Sequence, residues 1–134
     1  MIRATIFGVA VVAAVAGYVV LDNRPSSVQP VAGPVVDVDT LNADQARGRM
    51  AFNTACADCH GRDALGGDGG PPLIHKIYEP SHHGDGAFYR AVQAGVPQHH
   101  WNFGDMPRQT GISRSQVADI IDYVRAAQRQ NGIN

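Results

Sequence analysis

Lysine, cysteine and tryptophan are all scarce in this sequence of 134 residues. Lys76 is the only lysine among eleven basic residues, which stand against twelve acidic residues, so the formal net charge is −1. A nearly neutral chain without a basic cluster does not resemble a nucleic-acid-binding surface, and we expect no nucleic-acid partner. The two cysteines allow a disulfide, a redox pair or a cofactor attachment, and only their spacing can choose among these.

Sustained alternation of apolar and polar residues, the pattern that predicts a strand, is also missing. Helical patterns are clear instead. Asn42 and Gln45 have the spacing of a capping box, before a helix that continues to the cysteines. A short helix is predicted from Asp85 to a stop at Gly95, and a longer one follows Ser113 with an apolar stripe at i, i+3, i+4 and i+7. We therefore predict an all-α fold.

The longest uncharged run lies near the start of the chain. Residues 4–21 carry no charge and would form a helix about 27 Å long, which favours a transmembrane anchor. An A-x-A sequence at residues 14–16 is a possible cleavage site, so a cleaved signal peptide is the alternative. Arg3 before the run predicts a single-pass protein of the cytoplasmic membrane with its globular part in the periplasm, on the outer side.

A proline-rich segment follows this run and favours extended chain. We therefore divide the sequence into a signal anchor or signal peptide at 1–21, a linker at 22–38 and a globular domain at 39–134. The globular part has room for one core only.

The most informative motif is Cys56-Ala-Asp-Cys59-His60, a C-x-x-C-H sequence typical of covalent haem attachment. The two thiols can add to the porphyrin vinyl groups, and His60 then supplies an axial imidazole. A catalytic disulfide and half of a zinc site are the alternatives. A redox C-x-x-C follows a strand, and a zinc site needs two more soft ligands; the sequence shows neither. We expect one covalently bound haem c.

A second axial ligand is expected in the loop before the last helix. Met106 is the preferred candidate, because Pro107 stiffens the chain beside its thioether. His99 and His100 are the alternatives. Trp101 is predicted to line the haem pocket, where its indole N–H would donate to a propionate, although ordinary core packing stays open.

These motifs together resemble the monohaem class I cytochrome c family over about residues 41–128. The resemblance rests on Gly48-x-x-x-Phe52, Cys56-x-x-Cys59-His60, Pro71-Pro72-Leu73, Met106-Pro107 and Tyr123-Val124-Arg125. It implies a small helical domain wrapped around one haem, here in a membrane-anchored bacterial type, with the first and last helices crossing closely at Gly48. It also implies that the carbonyl of Pro72 accepts a hydrogen bond from His60; simple stiffening of the loop by Pro72 is the alternative.

Five further histidines lie outside the haem motif, and two adjacent pairs of them flank the predicted middle helix: His75, His82, His83, His99 and His100. A copper or zinc site is one interpretation of this clustering. Solvated imidazoles, or imidazoles bonded to propionates, are the other.

An iron with both axial positions filled suits electron transfer better than chemistry on a substrate. We therefore expect a single-electron carrier, not an enzyme, between a quinol-side complex or dehydrogenase and a terminal acceptor. The expected partners are redox proteins and, through the N-terminal helix, the membrane; no small-molecule substrate is expected. The alternatives are an electron-transfer subunit of an oxidoreductase, a haem peroxidase, and a copper-handling or sensing haem module.

Overall fold

The computed structural model describes residues 33–134, so the predicted anchor and most of the predicted linker lie outside the described residues. The described part contains the α-helices α1 (Ala43–Ala55), α2 (Ala57–His60), α3 (Asp85–Ala94) and α4 (Arg114–Gln130). Short 3-10 turns are found at Val38–Thr40, Arg62–Ala64 and Lys76–Tyr78.

Strands are absent from this part of the chain, where isolated bridges join Gly67 to Gly70 and Val96 to Met106. The all-α prediction is therefore confirmed for residues 33–134. Within the same range, none of the helices combines the length and the apolar character needed to cross a bilayer.

Local signals set the ends of the helices, as predicted. The side chain of Asn42 accepts from the backbone N–H of Gln45 at 2.9 Å, and the side chain of Gln45 accepts from the N–H of Asn42 at 3.0 Å. Ser113 and Gln116 make the same reciprocal pair at the start of α4. Gly95, with φ +77°, ends α3. Each of these ends depends on residues within one turn, which is why the sequence alone predicts them.

Helix α1 packs across α4 at Gly48. A Cβ at this position would clash with the carbonyl of Asp119 and would lie 3.0 Å from the Cβ of Tyr123. One turn further along α1, Phe52 is 1% exposed, and its ring centroid is 6.2 Å from that of Tyr123. This is the close helix crossing that the resemblance implied. The core continues from it through Ala64, Ile74, Ile120, Val124 and Ala127.

The folded unit begins before the predicted boundary at residue 39. The amide side chain of Asn131 accepts from the N–H of Val35 at 3.0 Å and donates to the carbonyl of Val35 at 2.8 Å. Gln130 makes the same two contacts with the backbone of Asp37, both at 3.0 Å. Residues 35–37, which we assigned to the linker, are therefore bound to the end of α4. Composition cannot predict this contact, because its partners lie more than 90 residues apart.

Two buried polar side chains of α4 bind the loop before α3. Arg125, 7% exposed, donates to the carbonyl of Tyr78 at 2.8 Å, to the carbonyl of His83, and to the carboxylate of Asp85 at 2.9 Å. Gln128 donates to the carbonyl of Tyr78 at 2.9 Å. Buried donors of this kind hold a loop firmly, because breaking the contacts would leave them unpaired.

We expect Gly48→Ala to lower the free energy of unfolding by about 2 to 3 kcal/mol, because α1 and α4 must move apart to admit the methyl group. Urea denaturation of the haem-loaded protein, followed by far-ultraviolet circular dichroism, measures the change. Gly111→Ala is the control, since its added methyl would meet no heavy atom within 4 Å. It should change stability by less than about 0.5 kcal/mol. Equal stability of the two variants would contradict the tight crossing.

Candidate functional site

A largely apolar cavity of about 510 Å³ lies among all four helices and the loop before α4. It brings together four of the predicted site residues: Cys56, His60, Trp101 and Met106. Cys59 is exposed, and neither Cys59 nor Pro72 is among the residues that line the cavity. Phe52, Val117 and Ile120 supply apolar wall. A cavity of this character suits a mostly apolar cofactor.

The C-x-x-C-H motif spans the junction of α1 and α2. The N–H of His60 donates to the carbonyl of Cys56 at 3.0 Å, so that both cysteines and His60 lie within about one helical turn. Burial, together with the neighbouring Cys59, raises the pKa of the Cys56 thiol to about 11. A catalytic C-x-x-C needs a thiol with a lowered pKa. The surroundings of Cys56 therefore argue against the disulfide alternative.

The imidazole of His60 is oriented by Pro71, not by Pro72. Its Nδ1 lies 2.9 Å from the carbonyl oxygen of Pro71. Because a carbonyl can only accept, Nδ1 carries the hydrogen and Nε2 keeps its lone pair for a metal. The role that the resemblance implied for Pro72 thus falls one residue earlier. Gly70 lets the loop approach the ring, since a Cβ there would lie 3.1 Å from Nδ1 of His60.

Asp63 fixes the loop that follows the motif. Its φ of +59° is unusual for a residue other than glycine, and it is maintained by contacts with α1 and α4. Asn53 donates to the carboxylate of Asp63 at 2.8 Å and accepts from its N–H at 2.8 Å. Arg49 donates to the carboxylate at 3.0 Å, and the hydroxyl of Tyr123 donates to the carbonyl of Asp63 at 3.1 Å. The loop carrying Pro71 is therefore attached to the helix crossing.

The backbone of Met106 is attached to the end of α3. Val96 and Met106 exchange two backbone hydrogen bonds, each of 2.9 Å. Gly95 allows this approach, since a Cβ at Gly95 would lie 2.5 Å from the carbonyl oxygen of Met106. The loop between the two bonded residues is closed by the N–H of Gln98, which donates to the carboxylate of Asp105 at 2.8 Å. Met106 is therefore held by backbone contacts that do not involve its thioether.

Trp101 has a buried indole N–H without a hydrogen-bond partner among residues 33–134. Burial raises the pKa of the neighbouring Tyr78, and the indole of Trp101 offsets part of that rise. The indole N–H and the Tyr78 hydroxyl nevertheless do not form a hydrogen bond. A buried donor left unpaired costs about 1 to 3 kcal/mol, which points to an acceptor that completes the site. A propionate carboxylate is such an acceptor.

The donor set fits a covalent haem. Two thiols in one turn, an imidazole with a free Nε2 and a thioether are the groups that c-type attachment and axial ligation require. A small helical domain that places Cys56, His60 and Met106 around one apolar cavity, with Cys59 in the same helical turn as His60, defines a haem-binding protein of the c type.

A comparison with protein families reaches the same class. The family model for Cytochrome c matches residues 45–128, more than half of the chain, so the protein belongs to the cytochrome c family. Members bind haem, typically covalently, and transfer electrons, generally outside the cytoplasm and without enzymatic activity. Comparisons with curated proteins and with solved structures find no match.

Replacing Asp63 by Asn is expected to lower the free energy of unfolding at pH 7 by about 1 to 3 kcal/mol, because the charge-assisted bond from Arg49 is lost. Burial alone would raise the pKa of Asp63, but hydrogen bonds from Arg49 and Asn53 outweigh it and hold the pKa below its ordinary value of 3.8. A carboxylate whose pKa is lower in the folded protein than in the unfolded chain stabilises the fold at pH values above its ordinary pKa. This stabilisation is lost as the pH falls through the pKa of the folded protein.

The difference in free energy of unfolding between the unaltered protein and Asp63→Asn should therefore stay constant from about pH 7 to pH 5 and shrink below about pH 4. Urea denaturation at stepped pH measures it. Asp68→Asn, an exposed carboxylate in the same loop, is the control and should change stability little at any pH. A loss in Asp63→Asn that does not vary with pH would contradict the ionic contribution.

Proposed function

We propose that the protein is a membrane-anchored monohaem class I cytochrome c that carries single electrons. The observation that supports this most strongly is the shared cavity. Cys56 and His60 reach it from the junction of α1 and α2, and Met106 reaches it from a loop attached to the end of α3. Parts of the chain far apart in sequence thus contribute an attachment group and two iron ligands of different chemistry to one apolar space.

Each residue has a distinct role in this proposal. Cys56 and Cys59 would hold the haem through thioether bonds, and Nε2 of His60 and the thioether of Met106 would bind its iron. The carbonyl of Pro71 keeps the His60 ring in place and increases the basicity of Nε2. The indole N–H of Trp101, which is buried and has no partner among residues 33–134, would donate to a propionate.

When bound, the haem would supply an Fe(III)/Fe(II) couple, and with His60 and Met106 as ligands its iron would have no position free for a substrate. A thioether ligand raises the reduction potential, because sulfur favours ferrous iron. These properties suit a carrier better than a peroxidase, which needs an open position on the iron.

The proposed location and partners rest on the sequence outside the described residues. The uncharged run 4–21 would anchor the protein in the cytoplasmic membrane, and the extended, proline-rich linker would hold the domain away from the membrane, within reach of its partners. Electrons would pass from a quinol-side complex or dehydrogenase to a terminal acceptor on the outer side. A tether of this kind replaces diffusion by a high local concentration of the partner.

An optical redox titration of haem-loaded protein tests the axial ligands. Met106→Ala should abolish the near-infrared band from sulfur to ferric iron, and should lower the midpoint potential by a sizeable part of the roughly 0.8 V over which axial ligands tune haem. Met50→Ala is the control, because Met50 is 68% exposed and does not line the cavity. It should preserve both the band and the potential.

A low potential that Met106→Ala leaves unchanged would contradict the proposal. The sixth ligand would then be His99 or His100, which line the same cavity, or the position would be open, as in a peroxidase.

Gly95→Ala tests how the fold places Met106. Its added methyl would press on the carbonyl of Met106, so we expect the near-infrared band to weaken while the covalent haem is retained. Gly132→Ala is a matched control: Gly132 also has a positive φ, of +72°, a methyl there meets nothing within 4 Å, and Gly132 does not line the cavity. Since both substitutions place a side chain at a positive φ, a band that weakens equally in the two variants would show that Gly95 has no special role.

A further inference from the structure

Four histidines meet at the rim of the cavity. His82 and His83 precede α3, and His99 and His100 follow it, so the helix brings together two pairs that are separate in the sequence. The ring centroids of His83 and His100 are 5.2 Å apart, and so are those of His82 and His100. His83 and His100 also line the cavity.

Three of these rings point nitrogens at a common space. Ring nitrogens of His82, His83 and His100 all lie within 4.8 Å of one another. The Nε2 atoms of His82 and His100 are 3.3 Å apart. Two ligands of a tetrahedral ion bound at 2.0 to 2.1 Å are separated by about 3.3 to 3.4 Å, so this spacing suits a shared metal ion. A hydrogen bond between two neutral rings would explain why the nitrogens of His82 and His100 are close. It would not explain the nitrogen of His83 beside them.

His83 has the second contact that metal-binding histidines use. Its Nδ1 lies 2.7 Å from the carbonyl oxygen of Ile77, so Nδ1 donates and Nε2 keeps its lone pair. The backbone of His83 is itself held by buried Arg125, which donates to its carbonyl and also binds Asp85. One ligand is thus fixed in tautomer and position before an ion arrives, which reduces the ordering needed on binding.

We propose that His82, His83 and His100 form a binding site for a divalent late first-row transition ion, separate from the haem iron. An all-imidazole set suits Cu²⁺ and Zn²⁺, and Cu²⁺ binds the more tightly of the two. Three protein ligands leave a coordination position open for water. The electron-transfer proposal assigns none of these three residues to the haem, whereas His100 would be a candidate haem ligand if Met106 did not bind the iron.

Calorimetric titration of the haem-loaded protein tests the site, with Zn²⁺ added directly and Cu²⁺ added in the presence of a competing chelator. The unaltered protein should bind one ion per chain with a saturable isotherm. His82→Gln, His83→Gln and His100→Gln should each weaken binding by more than the roughly 10- to 100-fold that follows from losing a partner of a ligating histidine.

His99→Gln is the matched control. His99 lies beside the cluster, with its ring centroid 4.2 Å from that of His100, but its Nδ1 is 2.9 Å from the carbonyl oxygen of Pro97 and it is not part of the three-nitrogen group. Its replacement should change the affinity by less than about threefold, well below the loss expected for a ligand.

The visible haem spectrum, recorded during each titration, separates this site from the iron. The spectrum should keep the same axial-ligand bands as the metal ion binds, and circular dichroism should show each variant folded. Non-saturable binding to the unaltered protein, an equal loss in all four variants, or full affinity in folded His82→Gln would overturn the proposal. Displacement of an axial ligand of the haem by the added ion would overturn it as well.

Discussion

The crossing of α1 over α4 at Gly48 is the contact on which the rest of the fold depends. The missing side chain lets the backbone of α1 lie against the carbonyl of Asp119, which brings Phe52 against Tyr123 in the core. The haem motif begins directly after α1, so the same crossing determines where Cys56 lies. A wider separation of the two helices would both open the core and displace the haem motif.

The two sides of the cavity are positioned by separate contacts. On one side, Asp63 attaches the loop after the motif to α1 and α4, and the carbonyl of Pro71 orients the ring of His60. On the other side, Gly95 ends α3 and admits the backbone of Met106. Both candidate ligands are therefore held by backbone and loop contacts, which leaves their own donor atoms free.

Arg125 connects helix α4 to the histidine cluster. From within α4 it binds the carbonyl of His83, and it also binds Asp85 in the first turn of α3. The backbone of His83, the histidine nearest the start of α3, is consequently held against α4 beside the cavity. A metal ion at His82, His83 and His100 would lie at the rim of the space that the haem is proposed to occupy.

Features decided within one turn of chain could be predicted from the sequence: the capping boxes at Asn42 and Ser113, the stop at Gly95, and the C-x-x-C-H motif with its chemistry. Tertiary structure alone decided that Pro71 and not Pro72 bonds to His60, that residues 35–37 join the folded unit, and which imidazoles meet. The physical reason is the distance along the sequence between the groups that interact. A cap is a contact between neighbours, whereas the path of a loop or the meeting of distant side chains depends on how whole helices pack.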